Sequence, residues 1–269
     1  MKTRIISGIF LVIILALTAG FGGWLLFAAC LGISIIGMFE LNRVKNLEKT
    51  GMANISYIFA IVYYLSLLLD STKYNMITLI LAFLVMMSFY VFKFPKYKAE
   101  DVMWTFFAFV YVAIMISYIY LVRSMHDGIY LVWLIFVASW GNDTFAYFTG
   151  VFLGKHKMAP ILSPKKSVEG AIGGVLGAAI LGAIYGLIIS RFTSSPSVLT
   201  IATFAGASFV GAFISIIGDL AASAIKRNYD VKDYGNLIPG HGGILDRFDS
   251  VIFTAPVVYW IVYLILNVL

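Results

Sequence analysis

The 269-residue sequence contains one cysteine, three histidines and six prolines, and only 12% of its residues are charged. A single cysteine excludes an intrachain disulfide, so Cys30 is interpreted as a packing residue within an apolar run. So little charge excludes an ordinary soluble domain, in which about 25% of residues are charged. Because no soluble basic domain is present, binding to nucleic acid is also excluded. Hydrophobic residues make up 61% of the chain, which is therefore expected to bury apolar surface in lipid.

Long apolar runs recur along the whole sequence. Crossing a bilayer takes about 20 mainly apolar residues, and about nine runs approach that length. They lie at about 4–20, 24–40, 52–70, 76–92, 102–122, 129–151, 169–190, 199–225 and 251–268. We therefore predict an all-α polytopic membrane protein with about nine transmembrane helices.

The basic residues predict the orientation of these helices. All but three of the 19 lysines and arginines fall on the same side of the predicted spans as the N-terminus. The exceptions are Lys73, Arg123 and Arg191. Positive charge accumulates in cytoplasmic loops, so the N-terminus is expected inside and the C-terminus outside. Setting topology and attracting anionic lipid headgroups are sufficient roles for most of these charges.

The two halves of the chain differ in polarity. Residues 1–128, with about five predicted helices, carry few polar side chains and are interpreted as a transmembrane scaffold. Residues 129–269, with about four helices, hold two long predicted cytoplasmic loops at 152–168 and 226–250. Glycines repeated between Gly170 and Gly186 predict close helix packing. The second half is therefore expected to carry the catalytic chemistry.

Asp143 and Asp219 fall inside predicted spans. A charged side chain near a helix centre costs about 2.5–3.5 kcal/mol, so such residues usually face a cavity, a partner or an ion. Asp219, Ser223 and Lys226 are spaced to share one helix face. The ordinary alternative for each aspartate is a buried ion pair that serves packing alone, and it stays open at this point.

The loop that follows Asp219 adds two more carboxylates. Asp246 and Asp249 are three residues apart and share a face if a helix has begun there, where the helix dipole also favours acidic residues. With Asp219 they could form an oxygen-ligand set suited to Mg²⁺. Basic residues and glycines that suit phosphate surround them; these are Lys226, Arg227, Lys232, Gly240, Gly242, Gly243 and Arg247. The pattern predicts a site for a metal-bound polyphosphate.

Residues 223–249 resemble the signature of the phosphatidate cytidylyltransferases, also called CDP-diacylglycerol synthases, of the bacterial type. Ser223-x-x-Lys226-Arg227 is followed by Lys232-Asp233 and by His241-Gly242-Gly243-x-x-Asp246-Arg247-x-Asp249. The resemblance implies transfer of the cytidylyl group of CTP to phosphatidic acid, giving CDP-diacylglycerol and pyrophosphate. It also implies a multi-pass protein of the bacterial cytoplasmic (inner) membrane, contacting membrane lipid, with its site on the cytoplasmic side. Because CTP is soluble and phosphatidic acid resides in the membrane, we hypothesise that the site has a lateral opening to lipid.

Taken together with this reaction, the residues suggest particular roles. Metal ligation is expected of Asp219, Asp246 and Asp249, and catalysis of Asp219, Asp246, Lys226 and Arg247. Substrate binding is expected of a larger group: Asn142, Asp143, Lys165, Lys166, Ser223, Arg227, Lys232, His241, Gly242 and Gly243. One or two Mg²⁺ ions are implied, with an additional monovalent cation as an option. The oligomeric state is open, a homodimer being one option.

Alternatives remain for the function and for one loop. An ion-coupled transporter would use Asp143 and Asp219 as cation sites. A related CTP-dependent lipid kinase would need a base for a hydroxyl nucleophile. The basic segment 155–167 is interpreted as a second phosphate clamp, and a loop that only sets topology is its alternative.

Overall fold

The computed structural model describes residues 2–69, 72–192, 197–240 and 242–268, so the predicted substrate residue His241 lies outside the described residues. Within these ranges the chain is mainly helical with little sheet, which confirms the predicted fold class. The helices are α1 (Lys2–Phe21), α2 (Gly23–Arg43), α3 (Gly51–Leu68), α4 (Asn75–Phe92), α5 (Ala99–Ala108), α6 (Met115–Arg123), α7 (Gly128–Phe136), α8 (Asn142–Leu153), α9 (Val168–Ile189), α10 (Ser197–Asn228) and α11 (Leu245–Val268). A short 3₁₀ turn covers Thr72–Tyr74.

Membrane-spanning length is reached repeatedly. In the described part of the chain, 8 helices are long and apolar enough to cross a bilayer. Two of these are continuous runs, Ala99–Arg123 and Gly128–Leu153, each built from two α-helices joined by a π-helical stretch. The apolar part of α1, Ser7–Phe21, is shorter. These helices confirm a polytopic membrane protein, while the orientation of the termini stays a prediction.

One compact unit comprises Met1–Tyr120 and Tyr229–Arg247. It contains α1 to α5, and buried Met52, Met86 and Val102 form part of its apolar core. Its second segment is the loop between α10 and α11 together with the first turn of α11. The predicted division of the chain after residue 128 is a functional hypothesis and stays a prediction.

The other compact unit comprises Leu121–Asn228 and Phe248–Leu269. Helix α9 packs closely against α8 and α10 through its glycines, as the sequence predicted. A Cβ atom at Gly177 would collide with the ring of Phe145 on α8. A Cβ atom at Gly182 would collide with Ser208 and with the Phe204 carbonyl on α10. Small residues therefore let the three helices approach at backbone distance.

The predicted loop at 152–168 contains a β-hairpin. Strands β1 (Lys157–Ala159) and β2 (Ser163–Ser167) pair antiparallel. The Ser167 hydroxyl caps α9 by accepting a hydrogen bond from the Gly170 amide at 3.1 Å. Glu169, in the first turn of α9, accepts hydrogen bonds from the Lys155 amide at 3.1 Å and the His156 amide at 3.2 Å. These contacts anchor the hairpin to the start of α9.

Two local predictions about the signature segment are confirmed. Helix α10 runs without a break to Asn228, so Asp219, Ser223 and Lys226 lie on one helix. Helix α11 begins at Leu245, which places Asp246 in its first turn and Asp249 one turn further on.

Candidate active site

The second unit contains a cavity of about 440 Å³ bordered by α8, the hairpin, α9 and α10. Its lining is mixed, with Ile216 and Met158 alongside charged and amide groups. The polar lining residues include Asn142, Asp143, Lys165, Lys166 and Asp219. The structure therefore brings five of the predicted site residues to one cavity.

An ion pair joins two elements across this cavity. The Lys166 ammonium on β2 contacts a carboxylate oxygen of Asp219 on α10. The two side chains are 24% and 27% exposed, so the pair borders the cavity and is partly open to solvent. Since both residues were predicted to bind substrate or metal, the pair is a contact that an incoming anion or cation could exchange.

Helix α8 begins directly after the π-helical stretch Val137–Gly141. The first residue of α8, Asn142, is 1% exposed, and its side-chain oxygen has no hydrogen-bond partner among the described residues. π-Helical turns inside longer helices are frequent at functional sites. A buried acceptor without a partner is costly. This oxygen packs against Gly174 of α9, where a Cβ atom would collide with it.

Asp249 approaches the same group of charges from α11. Gly218 on α10 has no room for a Cβ atom, which would lie 2.9 Å from the Asp249 carbonyl oxygen. The Asp249 carboxylate interacts electrostatically with Asp219, Lys226 and Asp143. It also accepts a hydrogen bond from the Ser250 amide at 2.8 Å. Three helices of this unit thus supply carboxylates that repel one another unless cations accompany them.

The oxygen atoms that could ligate a metal in the second unit are of the kind that Mg²⁺ prefers. Carboxylate and amide oxygens are offered by Asp219, Asp249 and Asn142, and the last has an unpaired buried oxygen. Over residues 2–69, 72–192, 197–240 and 242–268, no group of three or more acidic, histidine or cysteine side chains is arranged to hold a metal ion. Metal ligation by Asp219, Asp246 and Asp249 therefore stays a prediction.

The first unit contains a separate polar cavity of about 460 Å³. Lys232, Asn236, Gly242 and Arg247 are among its lining residues. The Nε atom of Arg247 is buried without a hydrogen-bond partner among the described residues. Gly242 has a φ of +86°, a conformation that side-chain-bearing residues rarely adopt. Two cations beside a glycine turn suit phosphate oxygens.

Asp246 shapes the loop beside this cavity. It is 7% exposed, and its Oδ2 atom accepts hydrogen bonds from the Tyr234 amide at 2.8 Å and the Gly243 amide at 3.0 Å. Gly243 was predicted to bind substrate, and in the structure its amide donates to Asp246. Asp246 therefore has a structural role that the sequence did not predict.

Glu40 and Arg43 are contacts that the sequence reasoning missed. Glu40, at the end of α2, is 3% exposed and accepts hydrogen bonds from the Ile244 amide at 3.1 Å and the Leu245 amide at 2.8 Å. Arg43 donates to the Tyr234 carbonyl at 2.6 Å. A signal was available, because an acidic residue at the edge of an apolar run is as unusual as Asp143 and Asp219.

The remaining predicted residues lie on the last turns of α10. Ser223 and Lys226 are half-buried there, whereas Arg227 is exposed. Lys226 interacts electrostatically with Asp249, which ties it to the carboxylate group of the second unit. The roles predicted for Ser223 and Arg227 stay predictions.

The chain is similar to a described protein family and to named bacterial proteins. A family described as the cytidylyltransferase family matches residues 2–265. A phosphatidate cytidylyltransferase of Bacillus subtilis is 30% identical over 272 residues, covering 98% of both chains. One of Staphylococcus saprophyticus is 31% identical, covering 95% of this chain and 96% of the relative. One of Thermotoga maritima is 40% identical over 134 residues, which cover 50% of this chain and 49% of the relative.

Proposed function

Because the chain belongs to the cytidylyltransferase family, we propose that it transfers the cytidylyl group of CTP to phosphatidic acid, producing CDP-diacylglycerol and pyrophosphate. It is a nucleotidyltransferase of phospholipid biosynthesis. The relatives that extend over nearly the whole chain carry the name phosphatidate cytidylyltransferase. That name and the signature at residues 223–249 imply the same reaction.

The structural observation that best supports this function is the Lys166–Asp219 ion pair. It joins the basic hairpin to α10 just before the signature begins at Ser223, and it does so at a cavity bordered by apolar helices. Phosphatidic acid has a charged phosphate and apolar acyl chains. A cavity with a lysine, carboxylates and membrane-spanning helices in its walls supports binding of that class of molecule.

The reaction places particular demands on the side chains. A phosphate oxygen of phosphatidic acid attacks the α-phosphorus of CTP, and the bond from that phosphorus to the bridging oxygen breaks as pyrophosphate leaves. The attacking oxygen is already anionic, so no strong general base is required. The main barrier is repulsion between two anions and the charge that develops on the leaving group. Fixed cations lower that barrier.

We assign the two substrates to different cavities. The polar cavity of the first unit, with Lys232 and Arg247, is the proposed site for the phosphates of CTP. The mixed cavity of the second unit, with Lys165 and Lys166, is the proposed site for the phosphatidic acid headgroup. The hairpin at Lys157–Ser167 then acts as the second phosphate clamp that its lysines predict.

Mg²⁺ is the proposed cofactor. Asp219 and Asp249 would hold it, with Asn142 as a further oxygen donor and Asp246 as the ligand predicted from the signature. When bound, Mg²⁺ neutralises phosphate charge and stabilises the leaving pyrophosphate. The chain's own contribution is to keep Asp219 and Asp249 together on α10 and α11 and to balance them with Lys166 and Lys226.

The helices make this a multi-pass membrane protein. We propose the bacterial cytoplasmic membrane as its location and the cytoplasmic side as the side of the site. The positive charge of the predicted inner loops supports this orientation, because soluble CTP and the lipid substrate meet on that face. A homodimer stays a hypothesis about its assembly.

Incubation of the purified, reconstituted protein with base-labelled CTP, Mg²⁺ and vesicles containing phosphatidic acid tests the proposal. We expect label to enter CDP-diacylglycerol, and we expect none to enter lipid when phosphatidic acid is replaced by diacylglycerol. Absence of labelled CDP-diacylglycerol from well-dispersed phosphatidic acid would overturn it. An ion-coupled transporter would produce no labelled lipid, and the comparisons favour neither that function nor a lipid kinase.

A further inference from the structure

A row of backbone amides at the start of α11 is held by carboxylates. The amides of Gly243, Ile244 and Leu245 are consecutive, and the first donates to Asp246. The other two donate to Glu40, one to each carboxylate oxygen, at 3.1 and 2.8 Å. Amides at a helix N-terminus have no partner within the helix, so Glu40 caps α11 from a distant part of the chain.

Neighbouring glycines show how closely Glu40 fits. A Cβ atom at Gly235 would collide with the Glu40 carboxylate, and so would one at Gly243. Gly235 also lies beside the Arg43 guanidinium, which would be 3.1 Å from such a Cβ atom. Both glycines thus make room for one carboxylate that is 3% exposed. The fit indicates a specific position for the side chain of Glu40.

Helix α2 presents this carboxylate on a face that contacts the signature segment. Gly37, Glu40 and Arg43 are spaced three residues apart and share that face. A Cβ atom at Gly37 would lie 3.7 Å from Leu245, so α2 passes close to the start of α11. Arg43 donates to the Tyr234 carbonyl, at the other end of the loop. One face of α2 therefore contacts both ends of the segment 234–245.

That segment forms part of the wall of the polar cavity. Asn236 and Gly242 lie within it, and Arg247 follows in the first turn of α11. The Arg247 amide donates to the Ile244 carbonyl at 2.9 Å, which links its backbone to the residue that Glu40 holds. Movement at Ile244 would therefore shift the Arg247 side chain within the cavity.

From these contacts we infer that Glu40 is a positioning residue for the nucleotide: it fixes residues 242–247 so that Arg247 and Gly242 meet the phosphates of CTP. Arg43 assists by holding Tyr234. This inference rests on the proposed function for its substrate. It extends the catalytic apparatus into α2, a helix that the sequence assigned to scaffold.

The isosteric variant Glu40→Gln tests the inference. One of the two backbone donors then faces an amide NH₂ group, so the start of α11 must shift. We expect the KM for CTP to rise about tenfold or more, with the KM for phosphatidic acid within about twofold of wild type. Glu40→Asp, which keeps the charge but is one methylene shorter, should recover part of the loss. The matched control is Glu100→Gln, since Glu100 is 73% exposed and lies in the same unit.

A purely structural role gives a different result. It would lower the yield or the melting temperature of Glu40→Gln and leave the KM for CTP of the folded fraction unchanged, and that result would overturn the inference. CTP binding is measured in parallel by the shift in melting temperature. If the wild type bound CTP but formed no CDP-diacylglycerol, the proposed function would fail while Glu40 could still be tested by nucleotide binding.

Gly243→Ala gives a second test that does not depend on the folding of Glu40→Gln. The added methyl group collides with the Glu40 carboxylate, so this variant alone should weaken CTP binding about tenfold or more. In a Glu40→Ala background the same methyl group has room, and it should cost less than about threefold. Equal losses in the two backgrounds would contradict the proposed contact.

Discussion

Asp219 in the second unit and Asp246 in the first were both predicted to bind metal, yet their carboxylates contact different kinds of partner. Asp219 pairs with the side chain of Lys166 at the edge of a cavity. Asp246 accepts hydrogen bonds from two backbone amides. A side-chain partner can be exchanged for a ligand while the backbone stays in place, whereas loss of a backbone partner changes the shape of the loop. One residue type therefore has an exchangeable contact in one unit and a structural contact in the other.

Replacing Asp219 by asparagine is the strongest test of this difference. The variant keeps the size of the side chain and removes its charge, so the Lys166 ion pair and the proposed metal contact are lost together. We expect turnover to fall about 100-fold or more with little change in melting temperature. Asp230→Asn is the matched control, because Asp230 is exposed and its φ of 53° suits asparagine. Near-normal turnover of Asp219→Asn would remove this residue from the catalytic set.

Lys166→Ala tests whether the mixed cavity of the second unit binds phosphatidic acid. Removing the ammonium leaves the phosphatidic acid headgroup without one of its proposed cations. We expect the KM for phosphatidic acid to rise about tenfold, with the KM for CTP unchanged. Lys49→Ala, which removes an exposed lysine from the first unit, is the control. A rise confined to the KM for CTP would reverse the assignment of the two cavities.

Two variants of Asp246 distinguish its structural role from its proposed metal-binding role. Asp246→Ala leaves the Tyr234 and Gly243 amides without an acceptor, at a cost of about 1–3 kcal/mol for each buried donor. Asp246→Asn keeps one acceptor oxygen, so we expect its melting temperature to lie close to that of wild type. Thermal unfolding in detergent measures both. Equal melting temperatures for Asp246→Ala and wild type would contradict the structural role.

The activity of the same asparagine variant tests the metal role. If Asp246 also binds Mg²⁺, as the signature predicts, a stable Asp246→Asn protein should lose turnover as Asp219→Asn does. Full activity of the stable variant would restrict Asp246 to holding the loop.

The smallest expected effect concerns helix packing in the second unit. Gly182→Ala brings a methyl group against Ser208 and the Phe204 carbonyl, and we expect it to destabilise the protein by about 1–3 kcal/mol. Gly206, on α10, has nothing within 4 Å of its Cβ position. Gly206→Ala should therefore be neutral or stabilise the protein by about 0.5–1 kcal/mol. Unfolding in detergent compares the two, and equal effects would argue against close packing at Gly182.

The helices were predictable because a membrane span is recognised from one continuous stretch of sequence, a run of about 20 apolar residues. The start of α11 before Asp249 and the packing glycines of α9 were predictable for the same reason. The roles suggested for Asp219 and Lys166 came from motif spacing and from charge. Their contact with each other could not be read from spacing, because it joins a hairpin to a helix more than fifty residues away.

Other features depend on contacts between distant parts of the chain. Glu40 lies 204 residues before Ile244 in sequence, so nothing in the local pattern connects them. The dual role of Asp246 requires the fold of the loop at Tyr234 and Gly243. The hairpin at Lys157–Ser167 is only two short strands, too little for an alternating pattern to be recognised. The π-helical stretch before Asn142 likewise has no sequence signature of its own.

The central claim is most directly tested by following the γ-phosphate of CTP. Reconstituted wild-type protein is given γ-phosphate-labelled CTP, Mg²⁺ and vesicles with or without phosphatidic acid. Cytidylyl transfer predicts that the label leaves as pyrophosphate, in a one-to-one ratio with CDP-diacylglycerol, and only when phosphatidic acid is present. Label that enters the lipid would show a kinase, and label that stays in CTP would show no transfer; either result would contradict the account.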